Sequence, residues 1–294
     1  MDNRSRLNQL NPQQIAAMKK RAQQKERFKK VVAYALLTLG ALFTVIPFVW
    51  TISTALKIEA DETDGLWIPR TVTFKNFEKA WIQGKFGLAY RNSIIVATLV
   101  TIGQVFTSAL AAYAFARLTW TGRDKLFVGY LGTMMIPFVV IMIPNYILLQ
   151  QFGLIDTLTG LILPMMFSAY GTFMLRQFFL GIPRSLEEAA VIDGASRLSV
   201  FFRIILPLSK AALSTLVTFT FIFVWNDFMW PLIVVSSTKW KTLPLMLDHF
   251  QSQYSSQYAL IMSGSLIVLL PVLLIYIINQ KFITRGITLS GLKG

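Results

Sequence analysis

Residues 183–208 read Pro-Arg-Ser-Leu-Glu-Glu-Ala-Ala-Val-Ile-Asp-Gly-Ala-Ser-Arg-Leu-Ser-Val-Phe-Phe-Arg-Ile-Ile-Leu-Pro-Leu. Charge and helix punctuation occur together here, between two long apolar runs. Ser185 and Glu188 have the spacing of a capping box, in which the hydroxyl takes an orphan N–H and the carboxylate reaches back. Glu187 and Glu188 fall in the first helical turn, where the macrodipole favours negative charge. Gly194 suits a left-handed helix end, and Asp193 tolerates the turn before it. A second short helix follows from Ser196 until Pro207, which lacks the next backbone donor. The stretch predicts two short helices joined by a tight turn. Ala189, Ala190 and Ala195 leave part of this elbow nearly bare of side chain, which suits close docking against another protein. The plain alternative is a well-capped, solvated helix-turn-helix loop.

The elbow interrupts a chain of 294 residues that is 54% hydrophobic and 14% charged; soluble domains carry about a quarter charged residues. Apolar runs occupy 31–56, 92–116, 126–150, 157–175, 204–226 and 258–280. A helix needs about 20 apolar residues to cross hydrocarbon. There, only helices and closed barrels satisfy every backbone group. The runs are too long and too uniformly apolar for barrel strands, so the expected fold is an all-α membrane protein with six transmembrane helices. Pro47, Pro137, Pro144, Pro164, Pro231 and Pro271 permit kinks. The second run carries Ser108, Ala112 and Ala116, whose spacing of four predicts close helix packing.

Orientation follows from the basic residues. Nineteen Lys and Arg fall on the N-terminal side of the bilayer and eight on the other. The positive-inside rule then puts both termini and the 183–208 elbow in the cytoplasm. Residues 1–30 are polar and basic; they form either a short helix from Pro12 capped by Asn11 or an unstructured arm drawn to anionic lipid. Thirty mostly polar residues before the first run argue against a cleavable signal peptide. In the longest external loop, Glu59, Asp61, Glu62 and Asp64 precede Asn76, Phe77 and Trp81, which suit a short interfacial helix. That loop is either a docking surface for an external protein or a linker.

Composition also removes whole classes of chemistry. The chain has no cysteine and one histidine, His249. Disulfides, thiolate metal sites and two-histidine sites are excluded. The net charge is +14, but its basic residues are spread between apolar runs rather than gathered on one face, so nucleic acid is not an expected partner. Neither G-x-x-x-x-G-K-[ST] nor G-x-S-x-G occurs, so no phosphate-binding loop or nucleophile elbow is present. Ionisable residues within a span are functional candidates by default. Lys210 lies near the start of the fifth run, where it can snorkel; the candidate of interest is Asp227, at a span edge in Trp225-Asn226-Asp227. Aromatic, amide and carboxylate groups together can stack on a sugar ring and bond its hydroxyls; the alternative is an interfacial aromatic belt. Gln104 and Asn145 either line a pathway or bond a neighbouring helix. One edge aspartate does not make a proton relay, which counts against an ion-coupled secondary transporter. A transporter without its own energy source needs a partner.

Glu188-Ala189-Ala190, three residues, Gly194, nine residues, then Ile204-x-Leu206-Pro207 resembles the EAA loop of binding-protein-dependent ABC importers. Asp193-Gly194-Ala195, Phe201, Pro207-Leu208 and the closing Gly286-Ile-Thr-Leu-Ser-Gly-Leu-Lys-Gly294 are similar to the carbohydrate-uptake branch that includes the maltose importer. The resemblance implies a type I ABC importer transmembrane fold over about 88–282. Hydropathy and charge leave a basic cytoplasmic arm (1–30), a first transmembrane helix (31–56), an extracytoplasmic loop (57–87) and a cytoplasmic tail (283–294) around it. Coupling would run through Glu187, Glu188, Ala189, Ala190, Asp193, Gly194, Ala195 and Pro207. The implied partners are a homologous permease, two copies of a cytoplasmic ATPase and an external solute-binding protein. The implied setting is a bacterial inner membrane. This chain would bind no cofactor and catalyse nothing; ATP and Mg belong to the ATPase subunits. The implied cargo is a carbohydrate, of oligosaccharide size, with a non-sugar solute such as glycerol phosphate as the alternative.

Overall fold

The computed structural model describes residues 12–61 and 65–291, and the described residues form helices with no strand. Helix α1 (Pro12–Ala55) runs unbroken for 44 residues. The basic segment is therefore helical from Pro12 onward and continuous with the first span, rather than an unstructured arm. No glycine or proline occurs between Gln13 and Leu39, and Ala, Gln, Lys, Arg and Glu are good helix formers. Asn11, Glu62 and Asp64 lie outside the described residues, as do Leu292–Gly294 at the chain end.

The loop after α1 carries a helix of its own. Its short helix α2 (Lys75–Gln83) forms where Asn76, Phe77 and Trp81 predicted it. Asn76 Nδ2 donates to the carbonyls of Ala55 (2.9 Å) and Lys57 (2.7 Å). Asn76 therefore satisfies carbonyls left open at the end of α1.

The centre of the fold is α3 (Phe86–Arg117), 32 residues without proline. Its expected small-residue stripe is buried: Ser108, Ala112 and Ala116 are each at most 1% exposed. The partner on that side is α7 (Ala169–Leu180). A methyl added at Gly171 would meet Ser108 Oγ at 2.6 Å, so the two backbones approach as closely as their side chains allow. Small residues are what permit that approach in a bilayer.

Three apolar runs are bent pairs rather than straight helices. Helix α4 (Arg123–Gly132) leads through a 3-10 turn (Thr133–Met135) into α5 (Phe138–Gln151), with a bend of 97°. Ile136 sits before Pro137 and takes extended angles (φ −86, ψ 115), as proline demands of its predecessor. Helix α6 (Leu158–Ile162) continues to Met166, and the chain then turns 40° into α7 at extended Phe167 and Ser168. After the elbow, the segment ending at Leu208 meets α10 (Lys210–Trp225) at 78°. Pro47, Pro144 and Pro271 stay inside their helices. The kinks are therefore set at Pro137 and at Ser168 and Ser209, not at every proline. Taking each bent pair as one span gives the six expected spans.

The chain ends with α11 (Met229–Val234), α12 (Leu243–Gln253) and α13 (Tyr258–Gly291). Helix α13 continues through residue 283 and Gly286 to Gly291. Two apolar cores divide the bundle. One joins α2, Phe86, Trp225, Trp230 and Phe250; the other joins the far end of α3 to Phe179, Val200 and Phe201 at the elbow.

At the end away from the elbow, Asp156 ties two turns together. Its backbone N–H donates to Val234 O (2.9 Å), and its Oδ1 accepts from Ser236 N (3.0 Å), Ser237 N (2.9 Å) and Ser237 Oγ (3.0 Å). Desolvation pushes this carboxyl up, but the Ser237 and Ser236 donors and the nearby Lys239 charge outweigh it, so it titrates below the usual carboxylate range. A depressed native pKa stabilises the fold above the unfolded value of about 3.9, and that contribution fades as pH falls through the native value. Asp156→Asn should cost about 0.5–1 kcal/mol at pH 7, after discounting for solvent at this corner. Thermal unfolding in detergent should show the gap between variant and parent closing below about pH 4.

Candidate coupling site

The elbow has the expected two-helix form, with one change at its start. Helix α8 (Ser185–Ile192) is preceded by Arg184, and no side chain caps it. Ser185 is the first helical residue, so the Ser185/Glu188 capping box does not form. Helical angles already begin at Arg184 (φ −65, ψ −27), whose carbonyl accepts from the N–H groups of Glu187 (2.9 Å) and Glu188 (3.0 Å). The end matches expectation. Gly194 has φ +86; its N–H donates to Val191 O (3.0 Å), and Ala195 N–H donates to Ala190 O (2.9 Å). These two bonds make a Schellman motif, which needs a residue free to adopt positive φ.

Ser196 caps α9 (Arg197–Val200) by accepting from Ser199 N at 3.2 Å. The helix then outlasts its expected stop at Pro207. A π-helical turn, Phe201–Ile205, leads into a last turn, Leu206–Leu208. Proline lacks an N–H and its ring crowds the carbonyl four residues back; a locally widened helix accommodates both. The real break is Ser209, fully buried, with its hydroxyl donating to Ile205 O at 2.7 Å.

The eight coupling candidates divide by exposure. Glu188, Ala189, Asp193, Gly194 and Pro207 are exposed. Ala190 and Ala195 are half-buried and pack on the elbow-side core. Glu187 is only 5% exposed and faces its own bundle. The outer surface also carries Leu186, Ile192 and Leu198, the second of them 85% exposed. Sequence reasoning passed over these apolar residues in favour of the alanines.

It also passed over the side chain that holds Glu187. Arg117 ends α3, and its Nε lies 2.7 Å from Glu187 Oε1; the two side chains are 3% and 6% exposed. The N–H does not aim along that line, so the contact is ionic rather than a formal hydrogen bond. Arg117 Nη2 donates to Phe179 O (2.6 Å) and Ile182 O (2.7 Å), carbonyls at the end of α7. One turn earlier, Tyr113 Oη donates to Arg197 O (3.2 Å), and its ring lies 5.1 Å from that of Phe201. Two residues four apart on one helix face thus grip the end of α7 and the starts of α8 and α9. Beside them is a cleft of about 470 Å³ lined by Arg184, Arg197, Glu188 and Ile192 among others.

The pathway candidates have different local partners. Gln104 bridges helices: its Nε2 donates to Met165 O (3.4 Å) and its Oε1 accepts from Thr220 Oγ1 (2.6 Å). Trp225 is core, stacked on Phe221 at 5.5 Å and edge-on to Tyr90 at 6.0 Å. Asn226 is exposed and bonds back to Ile222 O. Asp227 Oδ1 accepts from Trp230 N (3.3 Å) at the start of α11. Asn145 is half-buried in α5. An apolar groove of about 420 Å³ between α3 and α10, lined by Thr101, Phe106, Val217 and Phe221 among others, contains none of the five.

Arg117→Met strands a buried carboxylate, which costs about 3–5 kcal/mol. Pairing it with Glu187→Leu removes both charges, and thermal unfolding in detergent should then recover most of the loss.

Comparison with known proteins identifies the family. Residues 104–287 match the family described as the inner membrane component of binding-protein-dependent transport systems. An arabinooligosaccharide transport permease of Bacillus subtilis is 36% identical over 77% of this chain and 81% of its own length. An sn-glycerol-3-phosphate transport permease of Pectobacterium atrosepticum is 33% identical over 87% and 95%. A chain of a bacterial ABC transporter involved in alginate import superposes with a TM-score of 0.79 at 23% identity, covering 87% of this chain and 97% of that one. The type I importer fold expected over the core is the fold found. The chain belongs to the family of inner membrane components of binding-protein-dependent transport systems.

Proposed function

We propose that this chain is a carbohydrate permease of an ATP-driven importer, energised by an ATPase seated on the elbow. One observation carries the coupling role: a capped, glycine-hinged helix pair projects exposed Glu188, Ala189, Asp193 and Gly194 outward while Arg117 and Tyr113 fix its root. An exposed helix on a rigid root can convert a partner's movement into movement of the bundle. Glu188, Ala189, Ala190, Asp193, Gly194 and Ala195 form or hinge the docking face. Glu187 acts behind it, and Pro207 shapes the helix leading away.

The partners in this reading are a second permease of the same family, two ATPase subunits holding ATP and Mg, and an external binding protein. The family is defined by dependence on such a binding protein. This chain is a non-catalytic subunit of a bacterial inner membrane complex. The excess of basic residues on the elbow side supports cytoplasmic termini. The names of the arabinooligosaccharide and alginate relatives support a carbohydrate cargo. The glycerol-phosphate relative supports the second reading, a phosphorylated non-sugar solute. Trp225, Asn226 and Asp227 are the pathway residues we favour, beside Gln104 and Asn145.

The assembled complex in proteoliposomes tests this. Arabinooligosaccharide with its binding protein should stimulate ATP hydrolysis; stimulation by sn-glycerol 3-phosphate alone would select the second reading. Gly194→Pro cannot hold φ +86 and should insert normally yet lose both ATPase co-purification and transport. Normal transport by that variant would remove the docking role. Asp227→Asn should raise the solute concentration at half-maximal uptake by about tenfold, the loss of one charged hydrogen bond; unchanged uptake would make Trp225–Asp227 purely structural.

A further inference from the structure

We infer that the buried Arg117–Glu187 contact is a mechanical tie that passes elbow movement into α3, and through α3 to the 239–243 turn at the opposite end of the bundle. The inference rests on the elbow being the ATPase contact and goes beyond it to name the route inward.

Three observations support it. First, Glu187 sits next to exposed Glu188 on the same short helix, yet its carboxylate is buried against Arg117. A buried ion pair is not the cheapest way to hold two helices together; apolar replacements commonly do as well, and the best-attested use of such groups is to fix register. Second, α3 is the long unbroken helix that carries no proline; α1 contains Pro47 and α13 contains Pro271. It can act as a rod where the bent pairs cannot. Third, the other end of α3 is latched as firmly. Asn92, fully buried, donates from Nδ2 to Lys239 O (2.9 Å) and Lys241 O (3.0 Å). Its neighbour Ser93 accepts from Leu243 N–H at 2.7 Å. Asn92 and Arg117 are 25 positions apart on one helix, a rise of about 37 Å. Polar contacts with fixed partners therefore close both ends of the rod. Arg117 and Glu187 are positioning residues in this account: they touch neither nucleotide nor cargo.

The chain has no cysteine, so labels can be placed one pair at a time. Nitroxides on Thr119→Cys and Ser185→Cys flank the tie, both at exposed positions. In the reconstituted complex, their separation should be narrow and identical without nucleotide and with ATP–vanadate trapped. Adding Glu187→Gln should broaden the distribution and let it shift on trapping. A trapping-induced shift in the parent, or no change on adding Glu187→Gln, overturns the inference. A second measurement covers the case in which that variant fails to fold. Arg117→Cys/Glu187→Cys should lower uptake per ATP hydrolysed by about tenfold, the scale of a coupling free energy between sites. The probe is arabinooligosaccharide or sn-glycerol 3-phosphate, whichever drives hydrolysis. A short bis-methanethiosulfonate tether between the two thiols should restore most of the loss, a rescue that packing defects would not show. Full coupling in the untethered variant, or no gain on tethering, also overturns the tie. Failure of the docking reading looks different: a cysteine at Ala189 would then form no crosslink to the ATPase in the otherwise unchanged chain.

Discussion

A guanidinium withdrawn from water must be answered by acceptors on its several donors, because an unpaired buried charge costs more than almost any other single defect. Arg117 meets that demand with three groups: the Glu187 carboxylate and the carbonyls of Phe179 and Ile182. The two carbonyls lie at the end of α7 and the carboxylate on α8, and the arginine can be buried only where they converge. The last turn of α3, the end of α7 and the first turn of α8 are thereby held in one geometry. The elbow owes its fixed root to this requirement. Its free face owes its shape to the positive-φ turn at Gly194.

Helix α3 gives the rest of the bundle its frame. In a bilayer, apolar contact with a neighbour is little better than contact with lipid, so close helix packing must come from small residues and polar bonds. Ser108, Ala112 and Ala116 supply the first against Gly171 and its helix. Gln104 and Thr107 supply the second at the Met165–Met166 turn, and Asn92 and Ser93 supply it at the 239–243 turn. The bent pairs then fold around a straight member. This is why three of six spans can break without loosening the whole.

Much of this was legible in the sequence. The apolar runs gave the helices, the small-residue spacing gave close packing on α3 without its partner, and Gly194 gave the turn. The EAA-like pattern led to the right family. The errors have physical causes. Ser185 looked like a cap, but helical angles begin at Arg184. Pro207 looked like a stop, but a π-helical turn absorbs it. The N-terminal charge left open a short helix from Pro12 or an unstructured arm; a helix does start at Pro12, but uninterrupted helix formers carry it into the first span. Arg117 entered only as one of the nineteen basic residues counted on the N-terminal side. Its pairing with Glu187, rather than with adjacent Glu188, depends on which face of α8 turns inward, and two neighbouring glutamates carry no local signal of that choice. Gln104 bonds neighbouring helices, which was one of its two readings.

The central claim is that the elbow is the seat of an energy-supplying partner. Hydrogen exchange over Ser185–Ile192, read in lipid nanodiscs with and without the ATPase, tests it most directly. The account predicts that amides of this helix slow markedly when the ATPase is present, while those of α2 at the opposite end stay unchanged. Equal exchange rates in the elbow under both conditions would contradict it.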